Sequence, residues 1–158
     1  MKNYPLFSNS DYPMQAMQLK PILIDEDPTL ALYDNPDCQS IFTAYPAYYY
    51  QVGYHPPWIG YFVLRDLEVV GVGGFTGEPV NNRVEIAYST FKQFEGQGIA
   101  SFTCKMLVDI ARTADSNLVI TAKTAPEQNA SSRILAKQGF LYSRIVQDHE
   151  IGDAWEWV

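Results

Sequence analysis

With 158 residues, the chain is long enough for one domain with a hydrophobic core, and its hydrophobic content of 47% is ordinary for a globular protein. The 11 basic and 18 acidic residues give a formal charge of −7. This balance argues against non-specific binding to nucleic acid or to anionic lipid, because both need a basic protein face.

The cysteines and histidines do not form a metal or disulfide pattern. Cys38 and Cys104 stand alone, without a Cys-x-x-Cys spacing, and His55 lies far along the chain from His149. We therefore expect no metal site, and reduced thiols in a cytoplasm. The first residues lack an apolar signal core and no apolar run approaches the roughly 20 residues of a membrane span, so no membrane association is expected.

The N-terminal third is predicted to contain one strand and two helices. The predicted elements are a poorly structured lead-in over residues 1–14, a strand over 15–24, a short helix over 25–33 and a second helix over 36–49. Pro21 makes the strand an edge or irregular strand, because proline has no N–H for a sheet ladder. Acidic residues followed by Pro28 are typical of a helix start.

A segment rich in aromatic residues follows. Its members are Tyr45, Tyr48, Tyr49, Tyr50, Tyr54 and Trp58. Aromatic side chains with polar tips often line ligand clefts, which favours a wall of an acceptor pocket. Packing around a loop is the alternative interpretation, and the sequence leaves both open.

The rest of the chain alternates strands and helices. The predicted elements are antiparallel strands over 59–65, 68–75 and 83–89, a loop over 76–82, a helix over 97–113, a strand over 118–124, a helix over 128–138 and strands over 140–147 and 154–158. The strand over 118–124 follows a helix, so we expect it to run parallel to the strand before that helix. Glycines inside 68–75 indicate a bulge or a close backbone approach. This order excludes a doubly wound parallel sheet and predicts one α+β domain.

The helix over 97–113 has a clear apolar face. Its members at helical spacing are Ile99, Phe102, Thr103, Met106, Leu107, Ile110 and Ala111. The polar turn before it contains Gly96 and Gly98. A strand, a glycine turn and a helix form an anion-binding layout, since the first four N–H groups of the helix are unpaired. A Walker loop is excluded because no lysine follows Gly98, and the Rossmann glycine spacing is absent. A glycine turn that only caps the helix is the alternative.

Several stretches, in order, resemble the GNAT superfamily of N-acetyltransferases, in particular the branch related to the ribosomal-protein N-terminal acetyltransferases. They are residues 73–79, 84–88, 93–100 with its Gln-x-x-Gly-x-Gly pattern, 124–140, which ends in Gly-Phe, and 155–157. The resemblance covers about residues 57–158. It implies a three-layer α-β-α GNAT fold with a mixed, mostly antiparallel central sheet, splayed between the fourth and fifth strands. It also implies acetyl-CoA as the co-substrate.

The resemblance implies a set of residues that bind acetyl-CoA. They are Ala87, Tyr88, Ser89, Gln93, Gly96, Gln97, Gly98, Ile99, Ala100, Asn129 and Ser131. Backbone N–H groups of residues 97–100 would hold the pyrophosphate, and residues 87–89 would pair with the pantetheine arm like an added strand. Asn129 would contact the cofactor near its sulfur, although the register leaves Gln128 as an alternative. The chain departs from the family at Leu135, where many members have a tyrosine acid, and at Phe102, which replaces a common acid.

The chemistry needs a base, because an amine must lose a proton before it attacks a thioester. Glu85 is the candidate base, acting through a water; a carboxylate that merely pairs with Arg83 or Arg133 is the alternative. Tyr142 is a candidate acid, although a tyrosine that satisfies a local hydrogen bond is the commoner case. Ser131 has no histidine partner in the sequence, so direct transfer without a covalent enzyme intermediate is expected.

The predicted function is transfer of an acetyl group from acetyl-CoA to a primary amine of a small molecule or a peptide. A non-catalytic, CoA-binding GNAT-fold module is one alternative. A fortuitous glycine turn in a nucleotide-binding or structural protein is another. The sequence leaves the acceptor open, and it is compatible with a monomer or a homodimer.

Overall fold

The computed structural model describes residues 7–8 and 16–158. The strands in this part are β1 (Phe7–Ser8), β2 (Met17–Pro21), β3 (Gly60–Arg65), β4 (Glu68–Phe75), β5 (Arg83–Thr90), β6 (Val119–Thr124), β7 (Tyr142–Asp148) and β8 (Gly152–Trp157). The helices are α1 (Pro36–Val52), α2 (Ile99–Ala114) and α3 (Ala130–Lys137), and 3₁₀ turns cover Ala31–Tyr33 and Lys92–Phe94. The predicted lead-in over residues 1–14 lies outside the described residues, apart from β1.

One sheet contains all the strands, in the spatial order β1-β2-β3-β4-β5-β6-β8-β7. Neighbouring strands are antiparallel except β5 and β6, which are parallel. The predicted mixed, mostly antiparallel sheet is therefore confirmed. The strands predicted as fourth and fifth are β5 and β6, because the two-residue β1 precedes them.

The parallel pair separates partway along its length. Its pairing runs from Arg83 opposite Val119 to Ile86 opposite Ala122, and β5 then continues to Thr90. Beyond the last pair, β6 is hydrogen-bonded to β8, which lies on the side away from β5. The predicted splay is confirmed, and it leaves a gap beside the second half of β5.

Two glycines allow helices to lie close to the two faces of the sheet. A Cβ atom at Gly73 would lie 2.7 Å from Cγ2 of Thr103 in α2, and one at Gly60 would lie 2.0 Å from the hydroxyl of Tyr45 in α1. We call the two surfaces of the sheet the α2 face and the α1 face. The close backbone approach predicted for the glycines of β4 is thus present at Gly73.

The α2 face carries the larger apolar core. All seven residues of the predicted apolar face of α2 are buried. They pack on residues such as Phe75 of β4 and Val84 and Ile86 of β5, and α3 joins this layer through Leu135. The third layer, α1, lies across the sheet, which completes the predicted α-β-α arrangement.

The short helix predicted over residues 25–33 is wrong. Turns occupy this segment, and only Ala31–Tyr33 forms a 3₁₀ turn. The acidic side chains explain the difference, because they bind local groups instead of an open helix end. Asp27 accepts hydrogen bonds from the N–H and hydroxyl of Thr29, at 2.9 and 2.6 Å, and Glu26 binds the Tyr33 hydroxyl at 2.5 Å.

The aromatic segment mainly packs. Tyr45, Tyr48 and Tyr49 contact one another, and Tyr45 and Tyr49 meet edge to face with their ring centres 5.0 Å apart. The buried hydroxyl of Tyr49 donates to the Ile22 carbonyl at 2.7 Å and accepts from the Gly60 N–H at 3.1 Å. Its polar tip therefore fixes α1 to β3, as the packing interpretation predicts.

Candidate active site

The N-terminus of α2 is open. Gly98 is its N-cap, in the left-handed conformation with φ of +81°, and no side chain caps the helix. The Phe102 N–H makes the first bond back to the Gly98 carbonyl. The N–H groups of Ile99, Ala100 and Ser101 therefore have no intrahelical acceptor, which gives this end the character of an anion site.

The turn before α2 leaves room for a ligand. Gly96 has φ of +75°, and a Cβ atom at Gly96 or Gly98 would meet nothing within 4 Å. Both glycines are exposed, so the open N–H groups adjoin free space. A pyrophosphate fits these donors. The side chain of Gln93 lies elsewhere, since its Nε2 donates to Asp37 at 3.1 Å near the start of α1.

The backbone of β5 beside the gap is also open. Among the residues described, Ala87, Tyr88 and Ser89 have ladder partners in β4 and none in β6. Their free backbone groups fit an arm that carries amides. The Tyr88 side chain points away from this role: its buried hydroxyl has only the weakly polar thiol of Cys104 beside it. Burial raises the pKa of both groups, that of Cys104 to about 11.

Asn129 forms the N-cap of α3. Its Oδ1 accepts from the Ser132 N–H at 2.9 Å, and the Ser132 hydroxyl accepts from the Asn129 N–H at 2.9 Å. This capping box uses only Oδ1 of the Asn129 amide. Within the described part of the chain, Nδ2 of Asn129 has no hydrogen-bond partner. Ser131 and Gln128 are both exposed. Ser132, buried and not predicted from the sequence, is the second member of the cap.

Glu85 lies on the α1 face, because the neighbouring Ile86 packs under α2. Its side chain is 22% exposed, and its Oε2 is 3.4 Å from Nζ of Lys123 in β6. Lys123 is also 3.4 Å from Asp148. Burial lowers the pKa of Lys123, but the Glu85 and Asp148 carboxylates outweigh this effect, so that the pKa lies above its usual range.

The alternative interpretation, in which the Glu85 carboxylate pairs with Arg83 or Arg133, is wrong. Arg83 instead binds Glu156 at 3.1 Å, and Arg144 binds the same carboxylate oxygen at 3.1 Å. We call Arg83, Glu85, Lys123, Asp148 and Glu156 the charged group. Sequence reasoning missed Lys123, because only the parallel register brings it beside Glu85.

Glu85 lines a cleft of about 520 Å³ between the end of α1 and β5. The cleft also contains Val52, Thr76, Glu78, Arg83 and Thr121. Glu78 is exposed and lies 3.5 Å from His55. Tyr48 donates to the Phe75 carbonyl at 2.9 Å, and burial, together with the charge of Glu85, raises the pKa of Tyr48. The charged side chains that line the cleft are therefore two carboxylates, of Glu78 and Glu85, and one guanidinium, of Arg83.

Tyr142 lies apart from Glu85. Its half-exposed ring meets Trp155 and Trp157 edge to face, with ring centres 5.5 and 6.1 Å away. It stands opposite Trp157 in β8, which stands opposite Ala122 in β6. Three strand spacings separate β7 from β5, roughly 14 Å. The two predicted catalytic residues are thus not brought together.

None of the helices described is long and apolar enough to cross a membrane. Within residues 7–8 and 16–158, no three His, Cys, Asp or Glu side chains are grouped in a way that suits a metal ion.

Comparison with known proteins identifies the family. The family model described as "Acetyltransferase (GNAT) domain" matches residues 13–141, which is most of the chain. An "Uncharacterized N-acetyltransferase p20" from Bacillus licheniformis is 32% identical over 84 residues, a match of 52% of this chain and 47% of that protein. The chain therefore matches about half the length of this curated relative.

Solved structures share the fold. The RimL ribosomal L7/L12 alpha-N-protein acetyltransferase in complex with coenzyme A has a TM-score of 0.64 at 17% identity, over 89% of this chain and 92% of that one. The ribosomal-protein-S5-alanine acetyltransferase from Vibrio fischeri has a TM-score of 0.65 at 13% identity, over 98% and 95%. The resemblance to the GNAT family that the sequence indicates is confirmed: the chain belongs to the family of GNAT-domain acetyltransferases.

Proposed function

We propose that this protein transfers the acetyl group of acetyl-CoA directly to a primary amine, with Glu85 as the base. One observation carries the proposal: the β5–β6 ladder ends at Ile86 and Ala122. The gap that follows is bordered by open backbone groups of β5, with α2 on one face of the sheet and the Glu85 carboxylate on the other. Donor and acceptor can therefore meet there from opposite sides of the sheet.

The donor side consists of backbone groups. The N–H groups at the start of α2 suit the pyrophosphate, and the free edge of residues 87–89 suits the amides of the pantetheine arm. Asn129 offers Nδ2 from the start of α3 while its Oδ1 caps the helix. Bound acetyl-CoA supplies an activated acyl group: the new C–N bond forms at its acetyl carbon, and its C–S bond breaks.

The acceptor side consists of charged side chains. A peptide N-terminus titrates near pH 8 and an alkyl amine near pH 10.4, so the acceptor arrives mostly as a cation. Glu78 and Glu85 outnumber Arg83 among the cleft's charged lining residues, and Arg83 is already paired with Glu156, so the cleft attracts such a cation. The Glu85 carboxylate then takes the ammonium proton through a water, and Lys123 remains tethered to Asp148.

The leaving sulfur needs no dedicated acid in this scheme. A thiol titrates near pH 8.5, so its thiolate is a competent leaving group at neutral pH, and the second proton that the nitrogen loses as the amide forms can protonate it. This agrees with the position of Tyr142, about three strands from Glu85. The free, buried thiols of Cys38 and Cys104 favour a reducing compartment such as the cytoplasm.

Calorimetric titration of acetyl-CoA, CoA and ATP into the protein tests the donor half. We expect micromolar binding of acetyl-CoA and CoA, and no binding of ATP. A screen of amines, with release of the CoA thiol as the readout, then tests the acceptor half. The panel contains peptides with free N-termini, the same peptides with blocked N-termini, polyamines and free amino acids.

The outcomes separate the competing functions. Thiol release that depends on a free amine supports transfer. Tight CoA binding without turnover on any amine favours the non-catalytic module, and preference for ATP over CoA favours a nucleotide-binding protein. Folded protein that binds no acetyl-CoA overturns the proposal.

A further inference from the structure

We propose that Arg65, at the end of β3, binds a phosphate of CoA and supplies the positive charge that the glycine turn lacks. The inference rests on the proposed function, because it takes the start of α2 as the cofactor site. Arg65 reaches this site from a strand that is distant in sequence. Its guanidinium donates to the side-chain oxygen of Gln97, between the two glycines of the turn.

The turn has almost no net charge of its own. Residues 92–98 contain one lysine, Lys92, and one glutamate, Glu95, which directly precedes Gly96. CoA brings a pyrophosphate and a 3′-phosphate, so backbone dipoles alone would meet several negative charges. A cation from another element is therefore needed for charge balance, and Arg65 is hydrogen-bonded to the turn already.

Arg65 is also available for a ligand. Within the described residues it has no carboxylate partner within ion-pair distance and a single hydrogen-bond acceptor, the Gln97 oxygen. Arg83 and Arg144, in contrast, both bind Glu156. A guanidinium has five N–H donors, so most of those of Arg65 remain free for phosphate oxygens.

The guanidinium of Arg65 is held in position before any ligand binds. It lies over the ring of Phe94, with 5.3 Å between its central carbon and the ring centre. Phe94 is itself half buried in the 3₁₀ turn before the glycines. Stacking and the bond to Gln97 restrict the side chain, and this lowers the entropy lost on phosphate binding.

The test compares wild type with Arg65→Met against three ligands: CoA, 3′-dephospho-CoA and pantetheine. Calorimetry measures the two nucleotides, and NMR titration measures the weaker pantetheine. We expect Arg65→Met to bind CoA about tenfold more weakly, because it loses about one charge-assisted hydrogen bond to a phosphate. Its affinity for pantetheine, which has no phosphate, should not change. A loss that persists with 3′-dephospho-CoA assigns Arg65 to the pyrophosphate, and a loss seen with CoA alone assigns it to the 3′-phosphate.

Two further variants test whether the loss of CoA affinity is specific to Arg65. Arg144→Met removes an exposed arginine at the opposite edge of the sheet, where Arg83 still holds Glu156, and should bind CoA like wild type. Gln97→Met removes the tether but keeps the charge, and should lose less affinity than Arg65→Met. Equal losses of CoA affinity in Gln97→Met and Arg65→Met would mean that Arg65 acts only through Gln97. That result would overturn the direct contact between Arg65 and a phosphate.

Other outcomes bear on the proposed function separately. If wild type binds CoA and Arg65→Met binds it equally well, the inference fails while the proposed function stands. If folded wild type binds no CoA, both fail. An equal loss for pantetheine and CoA would indicate general damage to the gap and would also overturn the phosphate contact.

Discussion

The two sides of the gap between β5 and β6 differ in what they offer a ligand. The donor side presents backbone groups: the uncapped start of α2, on the α2 face, and the free edge of residues 87–89, in the plane of the sheet. On the α1 face, the chain presents the charged group, in which Glu85, Lys123 and Asp148 are linked at 3.4 Å each. The donor side therefore depends on the course of the backbone, and the acceptor side depends on which side chains are present.

This difference predicts that the two halves of the reaction can be damaged independently. Backbone donors depend on turn geometry, so only substitutions that block or recharge the turn should weaken the donor site. A charged cleft depends on a few side chains, so single isosteric changes there should alter turnover or acceptor affinity without touching CoA.

The largest effect is expected from Glu85→Gln. The amide keeps the shape of the side chain but cannot accept the ammonium proton, so kcat should fall by about 10²- to 10³-fold. The dissociation constant of CoA should not change, because Glu85 lies on the opposite face from α2. Steady-state kinetics and calorimetry on the same preparation measure both quantities.

Glu78→Gln is the matched control for that variant. Glu78 lines the same cleft but is exposed and lies beside His55, so we expect a rise in the acceptor KM of less than about fivefold and little change in kcat. If Glu85→Gln kept more than a tenth of the wild-type kcat, Glu85 would not be the base.

The next effect is expected at Gly98, where an Asp and an Asn variant form an isosteric pair. Both residues tolerate positive φ better than other side chains, so backbone strain is similar in the two. The carboxylate of Gly98→Asp would face the bound pyrophosphate and should weaken CoA binding at least about 100-fold. Gly98→Asn should weaken it about tenfold. Equal losses would show that bulk, and not charge, matters, and would argue against an anion at this helix end.

The same contrast explains what the sequence could predict. The donor side is local: Gly96, Gly98 and the start of α2 are adjacent in the chain, and their spacing alone indicates an open helix end. The acceptor side is assembled from distant segments. Arg83 and Glu156 are 73 positions apart, and Lys123 meets Glu85 only through the register of β5 and β6.

Tyr142 illustrates the same limit. It follows the Gly-Phe at the end of α3 closely, which made it a candidate acid near the cofactor. Its real distance from Glu85 depends on strand order, and β8 lies between β6 and β7 in the sheet. Chain order cannot reveal that insertion, since β8 follows β7 in sequence.

A smaller effect is expected from Lys123→Met. Removal of one positive charge makes the cleft more negative, so the KM of a cationic amine should fall about threefold, and high salt should abolish the difference. Burial lowers the pKa of Lys123, but the Glu85 and Asp148 carboxylates raise it by more, so the lysine stays charged at neutral and mildly alkaline pH. With an alkyl-amine acceptor, which itself stays cationic in this range, the KM ratio of the two proteins should therefore be constant between pH 7 and 9. A ratio that changes across this range would contradict a fixed charge at Lys123.

The smallest effect is expected at Asn129, which belongs to both a helix cap and the predicted donor site. Asn129→Ala removes the cap and should lower stability by about 1 kcal/mol, a shift of the melting temperature by roughly 2–4 °C. Asn129→Asp keeps a cap acceptor but lacks Nδ2, so it should retain stability and still bind acetyl-CoA more weakly.

The cap of α1 provides the control for this pair. Asn35 accepts from the Cys38 N–H at 2.8 Å, much as Asn129 accepts from Ser132, but it caps a helix on the other face of the sheet. Asn35→Ala should lower the melting temperature as much as Asn129→Ala and leave acetyl-CoA affinity unchanged. If Asn129→Asp bound acetyl-CoA like wild type, Asn129 would serve only as a helix cap. The start of α3, unlike the uncapped start of α2, would then bind no part of the cofactor.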